Sequence, residues 1–208
     1  MRPRRNRISY ENLMKMGVPK AYCKLTLDDY ETSGSKKLNI VKTYVKDYIR
    51  HMPYNIENNK GIFFYGSNGV GKSMLSCILL KEAYINRYTA RRITFSSYIQ
   101  EYTRIWDAKS VNEKESLEET FFQYYKSVEF LVLEEVGKEL DTKLSATVLE
   151  DLLRYREEKG LVTIICTNLH PKQLVEKYGA SIESLIKGNF TPINIVGEDN
   201  RISRYKER

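Results

Sequence analysis

A chain of 208 residues with 34 Lys and Arg against 27 Asp and Glu, formally +7 at neutral pH, suits one α/β domain with short extensions and can bury a sizeable core. The charge is compatible with nucleic-acid or acidic partners and equally with simple solubility. Its three cysteines, Cys23, Cys77 and Cys166, lie far apart with no C-x-x-C, which argues against a zinc site or a disulfide framework. No apolar h-region opens the chain and no apolar run approaches the ~18 residues that cross a bilayer, so a reduced, cytoplasmic setting without a membrane is expected.

In chain order, "MRPRRNR" packs Arg2, Arg4, Arg5 and Arg7 into a basic arm, and "RISRYKER" adds Arg201, Arg204, Lys206 and Arg208 at the far end. These are either solvated tails or phosphate-binding arms. "ISYENLMKMGVPKAYCKLTLDDYETSGS" reads as a lead-in lying against the domain, which divides the chain into an arm and lead-in, 1–35, and a main domain, 36–208. "KKLNIVKTYVKDYIRHM" places Leu38, Val41, Tyr44, Val45, Tyr48 and Ile49 at helical spacing. The strand-like "GIFFY" precedes a glycine-rich loop and a helix running to about Asn86; a strand "RRITFSS" and a helix "SYIQEYTRIWD" follow.

The charged "AKSVNEKESLEE" reads as an exposed loop or helix extension, and "FFQYY", residues 121–125, as core. "VEFLVLEEVG" is an apolar strand ending in two acids, followed by a helix from about Thr142 to Lys159. "LVTIICTN" is a further buried strand, with short helices around "PKQLVEKYG" and "SIESLIKG" before a last strand "TPINIVG". Five strands alternating with helices, several apolar throughout, predict an α/β three-layer domain with a parallel sheet covered on both faces.

From Gly66 the loop reads G-x-x-x-x-G-K-S, the P-loop pattern, in the strand-loop-helix setting that gives it meaning. Gly66, Gly69 and Gly71 allow unusual backbone angles, and the backbone of Ser67, Asn68, Val70 and Met74 completes a cradle for a polyphosphate at a helix N-terminus. Lys72 is placed to reach the β- and γ-phosphates of a nucleotide, and the Ser73 hydroxyl to ligate Mg²⁺. Glu134 and Glu135, at the end of the "FLVLEE" strand, suit a pair in which the first assists the Mg²⁺ shell and the second orients or deprotonates the attacking water. The alternative is two solvent-facing acids.

Thr167 and Asn168 emerge beside the γ-phosphate if the "IICTN" strand lies between the P-loop strand and the acidic strand; otherwise Asn168 caps a helix or makes a turn. Tyr98, Tyr102 and Trp106 recur every four residues, with Arg104 nearby. They form either a stacking platform for single-stranded bases or a core stripe.

Together, "GVPKAYCKLTLDDYE", "GSNGVGKS", "FLVLEEVGKE", "TIICTN" and "GEDNR" occur in the order seen in AAA+ ATPases, and the chain resembles the DnaC/DnaI helicase-loader and IstB transposition-helper group over roughly residues 10 to 205. The resemblance implies an AAA+/ASCE P-loop NTPase of strand order 5-1-4-3-2 that binds ATP and Mg²⁺ and forms a homo-oligomer with ATP between subunits. It further implies that Lys72 and Ser73 are Walker A, Glu134 and Glu135 Walker B, Asn168 sensor 1 and Arg201 a sensor 2-like arginine. The implied role is an ATPase that delivers a DnaB-type replicative helicase to single-stranded DNA. An IstB-like transposition helper and a nearly hydrolysis-dead binding module are the alternatives.

The chain departs from the group in three ways. Glu134 stands where the metal-side acid is usually Asp. The segment that commonly supplies an arginine finger reads "IESLIKGN", with Glu183, Ser184, Leu185 and Lys187 but no Arg, which predicts slow turnover. There is little room for a separate helicase-binding domain, and the short form suggests a phage-encoded loader.

Overall fold

A computed structural model describes residues 8–140 and 143–197; the basic arm and Arg201 lie outside the described residues. Strands β1 (Gly61–Tyr65), β2 (Ala90–Thr94), β3 (Phe130–Val136), β4 (Val162–Thr167) and β5 (Phe190–Asn194) form a five-stranded sheet. All its pairings are parallel, in the order β2-β3-β4-β1-β5. This is the expected 5-1-4-3-2 arrangement read from the other edge. The central strands are buried on both faces because each side chain, pointing alternately up and down, meets a helical layer. Ile62 and Phe64, Phe130 and Val132, Ile164 and Cys166 enter one core, while Phe63, Leu131, Leu133 and Ile165 enter the other.

The first core is closed by α1 (Tyr10–Lys15), α2 (Lys36–Arg50), α3 (Met52–Glu57) and α4 (Lys72–Ile85). The second is closed by α5 (Phe95–Arg104), α6 (Val111–Phe121), α7 (Lys143–Glu158), α8 (Pro171–Tyr178) and α9 (Ala180–Asn189). Among the described residues no helix is long and apolar enough to cross a membrane.

The lead-in joins the first core through Leu13, Met16, Val18, Cys23 and Tyr30. It also covers the outer edge of β2, where the Arg92 N–H donates to the Met16 carbonyl at 2.8 Å. Gly17, at φ +89°, makes this approach possible, since a Cβ there would collide with the Arg92 carbonyl oxygen. The Gly-Val-Pro step therefore closes a sheet edge that would otherwise present unpaired backbone groups.

Two aromatic readings need correction. "FFQYY" is only half core: Phe121 is buried and Tyr125 packs beside it, but Phe122 and Tyr124 are exposed. The segment winds as a π-helical turn, Phe122–Lys126, so its rings spread around the axis, and the Arg91 guanidinium covers the Tyr124 ring at 4.5 Å. Tyr98 is buried against Phe95 and Phe121, while Trp106, in a 3-10 turn beyond α5, is 59% exposed. The stripe is thus divided between core and surface. The charged stretch before "FFQYY" is the separate helix α6, started by the Ser110 hydroxyl accepting from the Glu113 N–H; α3 is a further short helix, with Pro53 in its first turn, where a missing N–H costs nothing.

Candidate functional site

Residues 66–71 connect β1 to α4. Gly71 is the N-cap of this 14-residue helix at φ +98°, with no side chain capping the first turn, so the α4 amides and dipole face the loop as an anion site. Gly71 has a second constraint: a Cβ there would lie 2.6 Å from the Tyr30 ring. The Tyr30 hydroxyl donates to the Val70 carbonyl at 3.3 Å, which seats the lead-in directly on the loop. Val70 itself is buried beneath, and Met74 packs partly against the first core.

Lys72 folds back over the loop, its Nζ donating to the Gly66 carbonyl at 2.8 Å and the Ser67 carbonyl at 2.6 Å. One residue on, the Ser73 Oγ donates to Glu134 Oε2 at 2.7 Å. Glu134 is only 1% exposed, and its other oxygen accepts from Ser76 Oγ at 2.6 Å and faces Arg92 Nε at 3.4 Å. Two hydroxyls and a guanidinium thus offset the cost of burying this acid.

A register shift between β3 and β4 falls between Leu133 and Val136, and Glu135 has φ +59°. Such a bulge re-aims consecutive side chains: Glu134 points at the P-loop while Glu135 is exposed, paired with Lys138 Nζ at 2.8 Å. The β4 strand lies between β1 and β3, and Asn168 Nδ2 donates to Asn68 Oδ1 at 2.9 Å, tying the end of β4 to the loop. Thr167 is spent structurally, since its hydroxyl donates to the Val136 carbonyl and accepts from the Leu169 N–H. Only Asn168 of that pair is left to orient a ligand.

These groups share a cavity of about 560 Å³ whose other wall is the lead-in, through Tyr22, Leu25 and Tyr30. That size lies within the ~300–1,000 Å³ typical of small-molecule sites. The residues fit a magnesium-bound nucleoside triphosphate: a helix N-terminus and ammonium for phosphate, a hydroxyl and carboxylate for the metal, an acid and an amide for water. The anticipated set from Gly66 to Ser73 is brought together with Glu134, Glu135 and Asn168.

Sequence reasoning missed Ser76 and Arg92. Ser76 lies one turn past Ser73 on the same helix face, and Arg92 alternates with the buried Ile93, which is as much signal as the chain offers. Nearby Cys77 and Cys166 are buried, their thiols pushed up by desolvation, Cys77 to about 12; both are packing residues rather than reactive ones.

A glycine-rich loop at the N-terminus of α4, acids at the end of β3, an amide at the end of β4 and the β2-β3-β4-β1-β5 order define the class: a P-loop NTPase fold of the AAA+ type. No family model matches the chain. In sequence it is 25% identical over 167 residues to the replicative helicase loader DnaI of Bacillus subtilis strain 168, covering 79% of this chain and 50% of that protein. The chain therefore spans half the length of that relative. In fold it is similar to the crystal structure of the DnaC helicase loader, with TM-score 0.73 and 22% identity over 86% of this chain and all of the other. It is also similar to the replication initiator DnaA bound to AMPPCP and single-stranded DNA, with TM-score 0.69 and 20% identity over 91% of this chain and 55% of that one. The resemblance to DnaC/DnaI-like AAA+ helicase loaders read from the motifs is borne out.

Proposed function

We propose that the protein is an ATP-dependent helicase loader that engages a DnaB-type replicative helicase and single-stranded DNA. The observation that carries this reading is the similarity to DnaI across most of the chain, together with a P-loop site whose parts converge on one cavity. The Lys72 ammonium and the α4 amides would hold the phosphates, Ser73 and Glu134 would hold the metal, and Asn168 would orient the attacking water. Glu135, freed from Lys138, would take the proton of that water. When bound, Mg²⁺ would supply neutralisation of the phosphate charge. Co-purification with the host replicative helicase, with and without ATP, tests the reading. ATP-dependent capture supports it, and no capture in either state refutes it.

For DNA, the supporting feature is Trp106, exposed and edge-on to Tyr102 at 5.5 Å, near Arg104. As the chain has one tryptophan, its fluorescence reports directly: quenching by an oligonucleotide supports base stacking. An unaltered spectrum at saturating oligonucleotide removes Trp106 from the DNA contact.

The α9 helix supports slow turnover. Ser184 and Lys187 are exposed on it, and Lys187 Nζ is held by Glu183 at 2.6 Å. If subunits associate around ATP, Ser184→Arg supplies a planar cation to a neighbour's phosphates and raises the ATPase rate, in a family of effects reaching about 10³–10⁵. Acceleration should appear only at concentrations where subunits associate. Acceleration equal in dilute monomer, or none at all, rejects the interface.

A further inference from the structure

The P-loop accounts for one wall of the cavity; another wall is built from chain with almost no regular structure. Between residues 20 and 33 there is a single 3-10 turn, Lys20–Tyr22, followed by bends and turns. Yet Tyr22, Leu25, Asp29 and Tyr30 all line the cavity. Such a segment cannot satisfy its own carbonyls through a ladder or a helix, so partners must come from elsewhere.

Two lysines supply them. Lys81, on α4 about two turns beyond Ser73, donates through Nζ to the carbonyls of Tyr22 at 2.9 Å, Cys23 at 3.4 Å and Leu25. Lys42, on α2, donates to the carbonyls of Asp28 at 3.2 Å and Tyr30 at 2.9 Å. Lys81 is 9% exposed, and burial lowers its pKa. An ammonium in such a place is costly unless its protons are all used, and three carbonyls match its three donors. An aliphatic side chain would fill the same space at no electrostatic cost, but it could not hold those carbonyls in place.

With phosphates drawn to the N-terminus of α4, the nucleoside has this second wall to lie against, where Tyr22, Leu25 and Tyr30 offer aromatic and aliphatic surface. We infer that Lys81 and Lys42 are positioning residues for the nucleoside half of the ligand, clamping the lead-in so that its cavity-facing side chains keep a fixed surface for base and ribose. The inference rests on reading the cavity as a nucleotide site. It separates two parts of the affinity: the phosphate part belongs to the P-loop, and the nucleoside part depends on the clamp.

Calorimetric titration of the full chain with Mg²⁺-ATP and, separately, with Mg²⁺-tripolyphosphate distinguishes the two. In Lys81→Met the affinity for ATP should fall about tenfold or more as an ordered wall becomes one that must be ordered on binding, while tripolyphosphate binds as to the unaltered chain. Lys42→Met, at a half-buried position that holds two carbonyls rather than three, should show a smaller loss in the same direction. It carries the test alone should Lys81→Met fail to fold. Equal weakening of both ligands would indicate general damage to the domain and overturn the inference, as would unchanged ATP affinity in folded variants. If the unaltered chain bound neither ligand, the nucleotide reading itself would fall, and the clamp with it.

Discussion

Replacing Lys72 by Ala is expected to abolish tight ATP binding while leaving a folded protein. Its Nζ lies over the Gly66 and Ser67 carbonyls at the mouth of α4, the position from which an ammonium meets the β- and γ-phosphates. Charge-assisted hydrogen bonds to phosphate are worth about 1.5–3 kcal/mol each. Losing one or two therefore weakens affinity on the order of ten- to twenty-thousandfold, at 1.4 kcal/mol per decade. The helix stays intact because Ala is the residue best suited to it, and the loop carbonyls can turn to water. Calorimetry on a variant with an unchanged melting curve is the measurement. Wild-type affinity there would sink the phosphate-loop assignment.

Glu135→Gln should retain bound ATP but lose about 10²–10⁴ of the hydrolysis rate, the usual share of a positioned general base. Folding should be nearly unaffected. Glu135 is exposed and its partner Lys138 is half-exposed, and pairs of that kind contribute about 0–1 kcal/mol. Gln preserves shape and tolerates the positive φ as well as Glu does. Single-turnover hydrolysis beside nucleotide affinity separates the two effects, and persistence of the wild-type rate would mean that another group activates the water. A fall in binding equal to the fall in rate would mean instead that Glu135 holds ligand rather than water.

The contrast between the two carboxylates marks a boundary in what could be read from the chain. That both end one apolar strand is visible in "FLVLEE", but their opposite fates come from the shift in register against β4 between Leu133 and Val136. Likewise Ser76 reaches Glu134 across 58 positions and Arg92 across 42. No local spacing encodes those meetings. Tyr98, Tyr102 and Trp106 had suitable spacing for one face, yet the helix ends at Arg104 and the 3-10 turn sends Trp106 outward.

What the sequence determined by itself was the glycine-rich loop ahead of α4 and the layered sheet. Gly66 to Ser73 act through backbone angles and reaches only a few residues long, and the strands declare themselves because burial on both faces demands uninterrupted apolar runs. The tertiary structure alone decided the surroundings of that loop. The lead-in becomes a cavity wall because Tyr30 lands on Gly71 and because Lys81 and Lys42 capture its carbonyls. An irregular backbone has no pattern of its own to advertise, and its hydrogen-bond partners are set by which distant helices happen to pack beside it.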